Sequence, residues 1–238
     1  MSTYELIRYA HVGVGTVALA AFWISGLARK GSPVHKASGK VYLATMAAIV
    51  ATAAPMAVII GLSGRTLTAA FLGYLVVIVA TGVWNAWRAI RDKKDFAAYT
   101  GRVFKTLAWL NIGSGLAVLG LGLARNVPLF AGFSLVGLIG GIVMLRFARR
   151  APTNPRWWLS EHLGAMLGNG AATHIAFLAI GLPRLVPALN TPTWNYVAWF
   201  APVLIALGAR LVLTRRYLPP APRPTLQAGR AEMASAQA

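Results

Sequence analysis

Apolar runs of roughly 20 residues, the length a bilayer's hydrocarbon core demands of a helix, recur seven times along this chain. They lie near 7–28, 40–62, 67–90, 103–124, 128–148, 157–182 and 195–217. A backbone in lipid must satisfy its N–H and C=O groups internally, so such runs form helices. The expected fold is all-α: a polytopic transmembrane helix bundle of about seven spans, with six or eight left open where two runs form one re-entrant feature or one run divides. Residues 1–217 form a single transmembrane domain on this reading, and 218–238, rich in Pro, Ala and Gln, a disordered cytoplasmic tail. The first run is long enough to span and lacks a small-residue cleavage site, so it is read as a retained helix. Breakers or charges fill every gap: Gly31-Ser32-Pro33, Ser63-Gly64-Arg65, Asp92 to Tyr99, Asn126-Val127-Pro128, Pro152 to Pro155 and Pro183 to Pro192.

The 23 Lys and Arg against 5 Asp and Glu give a net charge of +18, a balance that on a soluble chain would suggest nucleic acid. Here the cations sit between apolar runs and line no single face, so they read as loop charges of a membrane bundle. Arg29, Lys30, Lys36 and Lys40, then Arg88 to Lys105, then Arg146 to Arg156, and finally Arg210 to Arg230 fall on one side. Arg8, Arg65, Arg125 and Arg184 fall on the other. The asymmetry places the N-terminus outside and the C-terminus in the cytoplasm. Trp194, Tyr196 and Trp199 at the outer end, and Trp157 and Trp158 at the inner end, are expected as interface belts. There is no cysteine, which excludes disulfides, thiolate metal sites and cysteine nucleophiles.

The sixth run, within NPRWWLSEHLGAMLGNGAATHIAFLAIGL at 154–182, carries the groups most costly to bury in lipid: Glu161, His162, Asn169 and His174. His162, Met166, Asn169 and Thr173 fall at i, i+4, i+7 and i+11, on one helix face that must look into protein. Thr81, Asn85 and Arg88 share a face of the third span, and Tyr4, Arg8, His11 and Gly15 a face of the first. Asn85, Arg88, Glu161, Met166, Asn169, Thr173 and Arg210 are therefore expected to line a polar pocket between spans one, three, six and seven. Glu161 has two readings, an interfacial salt bridge to Arg156 or Arg210, or a proton-carrying carboxylate.

Of the four histidines, His11 and His174 are expected toward the outer face, with His35 in the first inner loop and His162 inside. His162 and His174 are separated by roughly 18 Å along the helix axis, a spacing that suits two cofactors stacked across a membrane. The cofactor reading is axial ligation of haem b, or a His-based metal site, with the neutral imidazoles of His11, His35, His162 and His174 as ligands. Against it, an i, i+12 spacing turns the two rings of span six about 120° apart, and histidine also serves as an interhelical hydrogen-bonding group. Structural bonding and proton or ion handling therefore stay open beside it.

Glycines crowd spans four to six. Gly137/Gly141 and Gly164/Gly168 fit the small-xxx-small pattern of close helix contact, either within the bundle or with a homo-oligomer or larger membrane complex. A weak echo between HVGVGTVAL at 11–19 and NIGSGLAVL at 111–119 would suit an inverted repeat, but an Ala-, Gly- and Leu-rich chain produces such echoes by chance. Span seven has no lysine to hold retinal, and no HExxH, GxSxG or P-loop pattern is present.

GLARKGSPVHKASGKVYLATM at 26–46, with its His-x-x-x-Gly-Lys-Val-Tyr pattern, resembles a segment of a bacterial multi-pass membrane family known as domain of unknown function 2306. EHLGAMLGNGAATHIAFL at 161–178 resembles that family's later His-x-x-x-Met-x-Gly…Thr-Ala-Phe helix. His162 and Met166 match, while Thr173-His174-Ile175-Ala176-Phe177 departs by a two-residue insertion. The resemblance covers about 1–182. It implies a multi-pass bundle with His11, His35 and His162 as family features and His174 as a peculiarity of this chain, and it implies no activity; the expected location is a bacterial inner membrane. Three functions follow as expectations: a haem-binding or membrane redox protein, a small-molecule or ion transporter or binder using the polar pocket, and a non-catalytic subunit of a membrane complex.

Overall fold

In the computed structural model, residues 2–218 are described; the expected tail, apart from Leu218, lies outside them. Seven helices are long and apolar enough to cross a membrane, and no strand occurs among the described residues. They are α1 (Thr3–Leu27), α2 (Pro33–Leu62), α3 (Thr66–Arg91), α5 (Arg102–Ala124), α6 (Pro128–Ala148), α7 (Trp157–Leu185) and α8 (Pro192–Tyr217). A one-turn helix α4 (Phe96–Tyr99) sits between α3 and α5. The protein is a seven-span helix bundle. Its outer surface is dense in exposed Leu, Val and Ile, such as Leu6, Val17, Val58, Leu116, Leu204 and Leu211, as a lipid-facing surface requires.

Local chemistry sets the helix ends. Ser2 and Glu5 form a reciprocal capping box on α1. Ser32 accepts from the His35 N–H with Pro33 in the first helical position, and Thr191 with Pro192 repeats the device on α8. Because Ser32 caps α2, His35 lies in its first turn. This corrects the expected loop position before the span, because Pro33 is an N1 proline and not a breaker. Within α7, Ala176–Gly181 is wound as a π-helix just before Pro183, which lacks the N–H to bond back to Ala179 and whose ring pushes that carbonyl away.

Helices α1, α2 and α3 pack in sequence, α5 and α6 form a tight hairpin, and α3 and α7 form the central pair, with α8 against α7. The α5–α6 seam is built on glycine. A Cβ on Gly141 would come 2.5 Å from the Ala108 carbonyl oxygen, and one on Gly122 would come 2.7 Å from the Ala131 nitrogen. Gly137/Gly141 therefore act as the sequence pattern suggests. Of the other pair, Gly164 is closely packed, its missing Cβ leaving room for the Arg210 guanidinium of α8, 2.9 Å from where that atom would lie, whereas Gly168 has nothing within 4 Å.

Two aromatic layers lock the bundle at its ends. Phe71, Phe130, Phe133 and Trp199 pack around Tyr74, whose hydroxyl donates to the α6 backbone. Tyr99, Phe104 and Trp157, with Phe147, form the other. Trp157 and Trp199, expected in interface belts, thus point inward, at 9% and 8% exposure. Each finds an aromatic cluster to fill, and apolar packing takes most of an indole's area. Tyr196 remains exposed, and Lys93 lies over the ring of Trp158.

Candidate functional site

The polar residues of α7 meet those of α2 and α3 in a continuous buried seam. Asn169, 2% exposed, packs its amide onto Gly82, where an added Cβ would come 2.5 Å from Asn169 Oδ1. Thr173 Oγ1 donates to the Asn169 carbonyl at 2.9 Å and lies 3.0 Å from the Tyr42 hydroxyl and 3.4 Å from Met46 Sδ, which ties α7 to α2. Met166 packs against the cluster formed by Ala18, Ala21, Tyr42 and Met46. On the other flank of α3, Asn111 Nδ2 donates to Thr81 Oγ1 at 2.6 Å. Asn85 has only a long contact to Met144 Sδ, at 3.7 Å. Two buried amide atoms in this seam, Asn85 Oδ1 and Asn169 Nδ2, have no hydrogen-bond partner.

At one end of the seam, Tyr99 donates its hydroxyl to Glu161 Oε2 at 3.3 Å. Burial, and then the Glu161 charge beside it, push the Tyr99 phenol well above its ordinary range, so it remains a donor. Arg210 acts on Glu161 electrostatically, yet the only ion pair within 4 Å among the described residues is Arg88–Asp92. Neither Arg210 nor Arg156 forms the expected salt bridge. Arg88 does not join this group. Its guanidinium holds Asp92 and the Ala98 carbonyl and stacks on Trp84, fastening the short helix α4 to the end of α3.

The four histidines separate into distinct environments. His174 has both nitrogens engaged: Trp23 Nε1–H donates to its Nε2 at 3.1 Å, and its Nδ1 lies 2.7 Å from the Gly170 carbonyl oxygen. Phe22 and Trp23 close over it edge-on. His11 Nδ1 is 2.8 Å from Thr52 Oγ1, whose hydrogen already goes to the α2 backbone, so the ring donates. His11 and His174 are not brought together, because the contact with Trp23 places His174 about 18 Å along α1 from His11.

His35 and His162 lie toward the same end of the bundle, within long-range electrostatic reach of one another. His35 Nδ1 lies 3.0 Å from the Ser25 carbonyl oxygen, and His162 Nδ1 lies 3.0 Å from the Ala86 carbonyl oxygen. A carbonyl only accepts, so both rings carry their proton on Nδ1 and present the lone pair on Nε2. Neither Nε2 has a hydrogen bond among the described residues. Lys30, whose ammonium is driven down from its ordinary range by burial, donates to the same Ser25 carbonyl and closes the end of α1. No group of three or more His, Asp or Glu stands close enough to hold a metal ion among the described residues.

Sequence reasoning missed Tyr99, Tyr42, Trp23, Ser25 and Asn111. Asn111 carried a usable signal, a lone amide in the middle of a span. Tyr99 carried a weaker one, apolar FAAY framed by the capping Asp95 and Thr100. The others are ordinary residues whose partners lie on distant helices. Compared with family models, curated proteins and solved structures, the chain matches none of them.

Proposed function

We propose that this integral membrane protein binds haem b through one pair of histidines, His35 on α2 and His162 on α7, and serves in membrane electron transfer. One observation carries the reading: each ring gives its Nδ1 proton to a backbone carbonyl and leaves Nε2 free. That is the outer-shell arrangement that fixes the tautomer and orientation of a ligating imidazole and raises its basicity. A bound haem supplies one-electron chemistry. The chain's part is to aim two neutral imidazoles into an apolar, partly dry site. The Ser25 and Ala86 carbonyls hold the rings and the Tyr42–Met46–Met166 cluster keeps the neighbouring space apolar. His174, with both nitrogens in use, and His11, with no histidine beside it, are structural in this proposal.

The test is the visible spectrum of protein purified in mild detergent from cells supplied with haem precursor, oxidised and then reduced with dithionite. A Soret band that shifts on reduction is expected, lost in His35→Ala and His162→Ala and retained in His11→Ala and His174→Ala. A band that survives loss of His162 would refute the assignment.

A second reading, a binder or transporter of a small polar molecule, is favoured by the orphaned Asn85 Oδ1 and Asn169 Nδ2, one acceptor and one donor buried within the bundle. Ligand-dependent thermal stabilisation lost in Asn169→Leu distinguishes it. In either case the charge asymmetry supports an orientation with the N-terminus outside and the C-terminus cytoplasmic, in the bacterial inner membrane that the proposal assigns. Alkaline phosphatase fused in the loop at 63–65 should be active, and fused at 149–156 inactive.

A further inference from the structure

The face shared by α2 and α3 is hollow between the two helices. Lys40, Leu43, Ala44, Ala47 and Val50 fall at i, i+3, i+4, i+7 and i+10 on one face of α2. Ala80, Val83, Trp84 and Trp87 fall at i, i+3, i+4 and i+7 on α3, and together they line a furrow of about 440 Å³. The alanines leave the space between the helices open. The two helices run antiparallel, joined through the turn at 63–65, so Lys40 and Trp87 share one end and Val50 and Ala80 the other.

We infer that this furrow seats one anionic phospholipid, with an acyl chain along the apolar lining and the headgroup phosphate held between Lys40 and Arg91. Length and charge both point to this occupant. From Lys40 to Val50 the furrow runs about 15 Å, half of a hydrocarbon core of about 30 Å, which is the depth of one leaflet. Its only charged lining residue lies at the end where α2 passes from Lys40 into the apolar stretch beginning at Val41, the level of a headgroup.

At the same end, Arg91 stacks its guanidinium on Trp87 with 5.1 Å to the ring centroid, which positions a second cation on the opposite wall. Lys36, one turn below Lys40, adds a third on the same face of α2. None of the three has a carboxylate within 4 Å among the described residues, because the nearby Asp92 is engaged by Arg88. A zwitterionic headgroup brings its own cation to this site and gains less than an anionic one. The inference is independent of the haem reading.

The experiment is native mass spectrometry and thermal unfolding of the full chain in mild detergent, titrated with phosphatidylglycerol or phosphatidylcholine of matched chains. Expected are a single tightly retained phosphatidylglycerol and a rise in Tm that phosphatidylcholine does not produce. Affinity should fall about tenfold or more in the Lys40→Gln/Arg91→Gln double variant. Ala47→Trp, which fills the furrow from an exposed position, should displace the lipid while leaving the cations in place. Equal response to both lipids, or undiminished retention in the charge variant, overturns the inference. So does a dimer that Ala47→Trp disrupts, since a second copy would then be the occupant.

Discussion

Gly140 and Gly141 are neighbours on α6 and make a matched pair for testing how closely α5 and α6 approach. An alanine at Gly140 meets nothing within 4 Å, whereas one at Gly141 would come 2.5 Å from the Ala108 carbonyl oxygen and 2.7 Å from Ile112 Cγ1. The first obstacle is backbone, so relief requires the helices to separate. Both substitutions gain the same helix propensity, about 0.5–1 kcal/mol. Only Gly141→Ala also carries an overpacking cost of about 1–3 kcal/mol. Propensity cancels in the difference between the variants, which isolates the packing term. That term corresponds to an unfolding constant about 5–150-fold larger for Gly141→Ala than for Gly140→Ala. Unfolding in mixed detergent–SDS micelles, followed by tryptophan fluorescence or circular dichroism, measures it. If Gly141→Ala proves as stable as Gly140→Ala, the close approach is wrong, and the account of the Gly137/Gly141 seam goes with it.

Two other outcomes follow from the seam and its ends. The Tyr42–Thr173 hydrogen bond, 3.0 Å across α2 and α7, should give a coupling of about 0.5–1.5 kcal/mol in a double-mutant cycle of Tyr42→Phe and Thr173→Val; additive single effects would show that the bond does not form. The Tyr99 phenol is held above its ordinary value, so the unfolded chain loses that proton first and stability should fall as pH rises past about 10. The fall in Tm between about pH 9 and about pH 11 should be smaller in Tyr99→Phe, and an unchanged fall would count against a buried phenol beside Glu161.

The spans were legible because lipid imposes one strict requirement, an unbroken apolar helix of sufficient length. Each predicted run falls on a helix, within a few residues at most ends. Ends set by capping were less legible. Pro33 and Pro192 look like breakers until Ser32 and Thr191 are seen accepting from the following turn. The polar stripe of His162, Met166, Asn169 and Thr173 was legible from helical periodicity, and it faces the bundle. What joins it was not, because Tyr42, Ser25 and Ala86 become partners only through tertiary packing. The pairing of the histidines was obscured for the same reason. Depth counted along single spans set His174 beside His11, whereas the contact of α7 with the far end of α1 sets it beside Trp23.

The π-wound stretch Ala176–Gly181 bears on how the length of this chain can vary. A π turn holds about one residue more than an α turn, so this segment stores surplus residues without breaking the helix. Removing one residue there would let the winding relax toward α while the phase of what lies beyond it is nearly kept. Leu182–Leu185 and the connection to α8 would absorb the small shift that remains. Glu161, His162, Asn169 and Thr173 all lie before it and would keep their register. Single-residue deletions should therefore be tolerated in Ala176–Gly181 far better than anywhere between Trp157 and Ile175, where the same deletion rotates half of the polar seam toward lipid.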